Sequence, residues 1–117
     1  MEPVLGRYLE GHPLERQKLL KRLIDLAEGL DAAVRTAVEG REVVFRAGEG
    51  GGRGFLRLTP TASAVLAGFP RGSELFDPKR RLSGTPGFQL SLTLRDVDDV
   101  DGYVRRLIEE AQRIDAP

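Results

Sequence analysis

Apolar positions recur with two different periods along the chain, and the places where the period changes mark its elements. In HPLERQKLLKRLIDLAEGL, Leu20, Leu23, Ile24, Ala27 and Leu30 return every three or four residues, while Lys18, Lys21, Arg22 and Asp25 fall on the opposite side. That stripe predicts an amphipathic helix over 13–29. Pro13 suits a first helical position, where its missing N–H costs nothing, and Gly29 suits a left-handed stop. Upstream, Val4, Leu5, Tyr8 and Leu9 have helical spacing and predict a further turn or two before Gly11. At the other end, Val100, Tyr103, Val104, Leu107, Ile108, Ala111 and Ile114 form the stripe of a second long helix within 96–115. Asp96, Asp98, Asp99 and Asp101 crowd its start, where carboxylates accept from free N–H groups and oppose the positive end of the helix dipole.

Between these helices the period shortens to two. Val34, Thr36 and Val38 alternate with Arg35 and Ala37, and Val43 and Phe45 alternate with Val44 and Arg46, around a turn at Glu39, Gly40 and Arg41. This predicts a β-hairpin over 31–47. Ala-rich 31–38 also suits a helix ended by Gly40, but the alternation favours strands. Phe55 to Thr59 alternates again, with Pro60 at its edge, and 61–69 reads as a strand of small residues closed by Pro70. The clearest strand is FQLSLTLR: Phe88, Leu90, Leu92 and Leu94 share one face, and Gln89, Ser91, Thr93 and Arg95 the other. Consecutive strands with short turns favour an antiparallel sheet. The expected fold is a two-layer α+β domain, a sheet of four to five strands with the N-terminal and C-terminal helices packed on one face, spanning 1–117 as a single domain.

Composition narrows the chemistry. A chain of 117 residues that is 40% hydrophobic and 31% charged is ordinary for one globular domain. It has no Cys, which removes disulfides and thiolate metal sites and fits a reducing compartment. The N-terminal stretch lacks the pattern of a secretory signal, and no segment is apolar for long enough to span a bilayer, so a cytoplasmic location without membrane association is expected. Net charge is zero but uneven: residues 1–34 carry 5 basic and 6 acidic groups, 35–95 carry 10 and 5, and 96–117 carry 3 and 7. The basic middle suits phosphate-bearing or acidic partners, although the acidic end is available to neutralise it internally.

Several sites are disfavoured by spacing. Glycines 48, 50, 51, 52 and 54 resemble a phosphate cradle only in composition. No Lys followed by Ser or Thr ends the run, and a strand pattern rather than a helix follows it, so it reads as a hairpin loop. A calcium loop begun at Asp96 would need oxygen ligands at positions held by Val100 and Leu107. His12 is the only histidine; beside Pro13 at a helix start it lacks a positioned nucleophile, and without Cys it cannot assemble a usual zinc site. No serine sits in a strand-turn-helix nucleophile elbow. No metal or cofactor is expected, and the sequence favours a protein that is not an enzyme.

The connection RGSELFDPKRRLSGTPG, residues 71–87, is long for a compact domain. Arg71, Lys79, Arg80 and Arg81 offer four cations against Glu74 and Asp77, with Leu75, Phe76 and Leu82 as apolar anchors. Arg71, Phe76, Lys79, Arg80 and Arg81 are therefore the candidate ligand-binding residues, with Arg80 and Arg81 as electrostatic contacts and Phe76 as an anchor. The competing reading is a cover over one sheet edge. Arg35, Arg46, Arg57 and Arg95 would add to the site if their strands align, or pair with local acids instead. Without an aromatic platform or a recognition helix, nucleic-acid binding would be weak, phosphate-dominated and sequence-blind.

The stretches YLEGHPLERQKLL, VVFRA, GFLRL, LFDPKRRLSGTPGFQLSLTL and DVDDVDGYVRRLIEEAQ resemble small bacterial YdhG-like domains of unknown function, including a related domain appended to some restriction-system proteins. The likeness spans nearly the whole chain. It implies an α+β fold with terminal helices covering an antiparallel sheet, and no established reaction. Where relatives carry aromatic or histidine residues, this chain has Leu56, Leu58 and Gly87, so an activity tied to those groups is not expected here. Together these readings point to a small binding or interaction module for an anionic ligand or protein partner. The alternative is a homo-oligomeric accessory domain, a homodimer paired through an exposed sheet face or edge.

Overall fold

The computed structural model describes residues 3–48, 53–85 and 89–116. Its elements run α1 (Pro3–Glu10), α2 (Leu14–Glu28), β1 (Arg35–Glu39), β2 (Glu42–Arg46), β3 (Leu56–Pro60), β4 (Val65–Phe69), β5 (Leu90–Leu94) and α3 (Gly102–Asp115), with short 3-10 turns at Gly72–Glu74 and Val97–Asp99. The five strands form one antiparallel sheet in the order β1-β2-β3-β4-β5. All three helices contribute to a single core against one face of it. This is the two-layer α+β arrangement that the periodicity predicts, including the short helix before Gly11.

The core follows from the two periods. Leu20, Leu23, Ile24 and Ala27 of α2 and Val104, Leu107, Ile108 and Ala111 of α3 are buried, as are Leu5 and Leu9 of α1. They meet the sheet positions that alternate toward them: Val43, Phe45, Leu56, Leu58, Val65, Ala67, Phe69, Leu92 and Leu94. Register makes these one face, since Val43 lies opposite Leu58, Leu58 opposite Ala67 and Ala67 opposite Leu92. The β1-β2 hairpin turns at Gly40-Arg41, where Gly40 has φ +64 and Arg41 does not, the pattern of a type II′ turn whose twist matches the strands.

Some local expectations are corrected. Gly29 caps α2 in a right-handed conformation, φ −78, its N–H donating to the Asp25 carbonyl and the Leu30 N–H to that of Ala27, so no left-handed stop is used. Pro13 is the N-cap, extended at ψ 150, one residue before the first helical position. The strand expected over 61–69 begins only at Val65, because Thr61 and Ala64 close a tight turn through both backbone and hydroxyl contacts. The last helix is broken: the Asp96 carboxylate caps the 3-10 turn by accepting the Asp98 N–H at 2.8 Å while its own N–H donates to the Asp99 carboxylate at 3.3 Å, and Asp101 caps α3 by accepting the Val104 N–H at 3.0 Å. The expected strand start at Phe88 and the Gly87 position lie outside the described residues, as do glycines 50–52. No helix among the described residues is long and apolar enough to cross a membrane.

Candidate loop and helix groove

The outer face of the sheet gathers Arg35, Arg46 and Arg57, but with acids. Arg35 stands opposite Arg46, a like-charge pair that would repel. Arg46 reaches Glu39 at 2.8 Å, and Arg57 reaches Glu42 at 3.1 Å and Glu39 at 3.9 Å. The hydrogen bond and charge of Arg46 help hold the Glu39 carboxyl below its ordinary pKa. Val44 is fully buried although it alternates to the outer face; it lies opposite Ala37 and Arg57, and the chain at Gly54 comes so close that a Cβ there would lie 3.0 Å from the Val44 Cγ1. Arg95, beyond the end of β5, belongs to the far edge of the sheet and does not join Arg35, Arg46 and Arg57.

The long connection behaves differently from one residue to the next. After β4, Arg71 forks onto Glu74, with both contacts at 2.7 Å, and a third N–H reaches the Ile114 carbonyl at 2.6 Å. Leu75 then plugs the core. At Phe76 the backbone is held from both sides by α3: its N–H donates to Glu110 at 3.0 Å, and its carbonyl accepts from Arg106. Arg106 and Glu110, four residues apart on one helical stripe, are themselves paired at 3.0 Å. Phe76 is nevertheless 57% exposed, with the Arg106 guanidinium 5.5 Å from its ring centroid.

Asp77 organises the next turn. Its carboxylate accepts from the Arg81 N–H at 3.0 Å, the Leu82 N–H at 2.9 Å and the Tyr103 hydroxyl. Burial pushes this carboxyl up, but the hydrogen bonds and the Arg106 charge outweigh it and the net direction is down. Tyr103 also accepts the Lys79 N–H at 3.1 Å; burial first and then the Asp77 contact push its hydroxyl pKa up. Around the Tyr103 ring stand Arg81 at 4.8 Å, Arg106 at 5.1 Å and Lys79 at 5.5 Å. Arg81 is further tied to Asp101 at 3.2 Å. The connection then returns Ser83 to pair with Ser91 on the outer edge of β5, both bonds 2.9 Å. It therefore covers a sheet edge while presenting Phe76, Lys79 and Arg80 to solvent.

Of the five candidate residues, the structure places Arg71 and Arg81 in internal ion pairs and leaves Phe76, Lys79 and Arg80 exposed. Arg80 has φ +50, a left-handed conformation that is uncommon for a side chain of this size. Phe76 and Pro78 form one wall, and Arg106, Glu110 and Arg113 of α3 the other, of an open groove of about 430 Å³. Among the described residues, Lys79, Arg80 and Arg113 have no ion pair.

Sequence reasoning missed the α3 side of this groove. Tyr103 is expected on the buried stripe but sits at its margin, half-buried, with its hydroxyl in the loop. Tyr103, Arg106, Glu110 and Arg113 recur at spacings of three and four, which is the signal that would have found the flank. His12 has only the edge of Tyr8 at 4.9 Å, and among the described residues no group hydrogen-bonds to its imidazole. No cluster of three His, Asp or Glu side chains among the described residues is placed to hold a metal ion. No family model, curated protein or solved structure matches the chain.

Proposed function

We propose that the domain is a non-enzymatic binding module, acting in the cytoplasm, that takes an anionic partner in the groove between residues 76–82 and α3. The observation that carries this reading is Phe76: its N–H and carbonyl are both clamped by α3, yet the residue is 57% exposed. A large aromatic presented from a fixed backbone loses little entropy when it is covered, which is the property of an interface anchor. Arg80 supports it, as an exposed cation fixed in a left-handed turn whose amides close on Asp77. Such a module is compatible with the YdhG-like resemblance, which brings no reaction with it.

The test is a thermal-shift and anisotropy screen with ATP, a thymidine oligonucleotide and poly-glutamate against wild type, Phe76→Ser and Lys79→Ser/Arg80→Gly. A salt-sensitive stabilisation by at least one probe, lost in both variants, is expected. Equal behaviour of the three proteins with every probe would remove the groove as the site. The second reading, a homodimer, is favoured by one observation: β1 is an edge strand with only β2 beside it. Solution mass separates the two, because a salt-resistant dimer supports edge pairing and a monomer does not.

A further inference from the structure

The groove has a polarity along α3 that a small anion would not use. Lys79 lies over Tyr103 near the start of the helix, and Arg113 lines the groove ten positions after Tyr103, a rise of about 15 Å along α3 at 1.5 Å per residue. Between these two unpaired cations stand Phe76 and Pro78, level with Arg106 and Glu110. The order along the helix is therefore cation, apolar wall, cation. Arg80, the next residue in the chain after Lys79, is exposed as well.

From this we infer that the occupant is an extended acidic peptide segment carrying two carboxylates about four residues apart and one apolar side chain between them. The inference rests on the groove being the binding site. An extended chain advances about 3.3 Å per residue, so about 15 Å corresponds to roughly four to five residues. The central side chain covers the Phe76 ring and Pro78, and the carboxylates meet Lys79 and Arg80 at one end and Arg113 at the other. A volume of about 430 Å³ is at the small end of ligand pockets, which run to roughly 1,000 Å³, and suits one or two side chains rather than a large ligand. A single-stranded nucleic acid fits less well. Glu110 lines the middle of the path and would face its phosphates, and Phe76 is the one exposed ring in the groove, where successive bases would need several.

The experiment is an anisotropy titration with fluorescein-labelled peptides in a glycine-serine frame, holding two glutamates at spacings on both sides of about four residues and one central phenylalanine. A thymidine oligonucleotide and pyrophosphate are run beside them. Affinity is expected to peak near the four-residue spacing and to fall at least about tenfold when the phenylalanine is replaced by glycine. Arg113→Ser should flatten the dependence on spacing, and Phe76→Ser should remove the preference for phenylalanine. Binding that ignores spacing and the central residue overturns the peptide inference. Groove-dependent binding of the oligonucleotide or pyrophosphate alone also overturns it while leaving an anion site. No groove-dependent binding of any probe overturns both readings. Urea unfolding of each variant distinguishes lost binding from lost folding.

Discussion

Replacing Asp77 with Asn changes no volume and removes one charge from the turn that shapes the groove. The carboxylate accepts three hydrogen bonds, from the Arg81 and Leu82 N–H groups at 3.0 and 2.9 Å and from the Tyr103 hydroxyl. The amide keeps one oxygen, so at least one donor must face its NH2 group. A hydrogen bond to a charged acceptor contributes about 1.5–3 kcal/mol, and partial exposure of this turn places the loss near the lower figure, about 1.5 kcal/mol. That corresponds to a roughly tenfold rise in amide exchange at Arg81 and Leu82, with little change at the buried β3 amides. The pH dependence has a definite sign. Because the folded pKa lies below the ordinary value of 3.8, the carboxylate's contribution is present above that value and is lost as pH falls through the folded one. Wild-type protection at these two amides should decline below about pH 4, whereas Asp77→Asn should already be low and flat. Equal protection factors in the two proteins at neutral pH, measured by residue-resolved exchange, would refute the role given to Asp77.

Gly54→Ala should cost about 2–4 kcal/mol in urea unfolding, because Gly54 has φ +87 and a Cβ there would lie 2.5 Å from the Phe45 carbonyl oxygen. Gly68→Ala should cost less than about 1 kcal/mol despite a nominal 2.3 Å contact, because that neighbour is the movable end of Gln89; a loss as large as that of Gly54→Ala would contradict this. Arg80→Gly should leave stability unchanged or raise it by about 0.5 kcal/mol by relieving the left-handed backbone, while weakening salt-sensitive anion binding; a marked fall in melting temperature would show that the side chain serves the fold. Val44→Ala should cost about 2 kcal/mol, as a core valine would, since its side chain is fully buried although it faces the outer side of the sheet; a cost below about 0.5 kcal/mol would mean that this position is open in solution.

Periodicity made the layers legible. The helical stripes at Leu20 to Ala27 and Val104 to Ala111 and the alternation through Val43, Leu58 and Leu92 each depend on local spacing, so their faces are readable before any contact is known. Capping was harder to read, because Asp96 and Asp101 are equally good caps and only the backbone path decides that each has its own turn. The groove was half legible. Phe76, Lys79 and Arg80 stand out in a long basic connection, but Arg106, Glu110 and Arg113 lie at least 24 residues further on, and their place beside the loop is set by how α3 packs on the sheet. Burial of Val44 was invisible for the same reason: it alternates to the outer face, and the close approach of the chain at Gly54 is set by the fold and not by local spacing.

The fate of each arginine follows from what faces it. On the sheet, fixed register sets Arg46 and Arg57 within reach of Glu39 and Glu42, so those cations are paired and little field remains for a partner. In the connection, Arg71 and Arg81 meet Glu74 and Asp101 and fasten the loop to its own turn and to the start of α3. Beside the groove, Lys79, Arg80 and Arg113 have no ion pair among the described residues, as is also true of cations elsewhere on the domain such as Lys21 and Arg22. Zero net charge and a locally basic cleft are consistent with each other, because the acids nearest the loop, Glu74, Asp77 and Asp101, are engaged in holding it. What sets the groove apart is an exposed aromatic residue whose backbone is held in place beside unpaired cations.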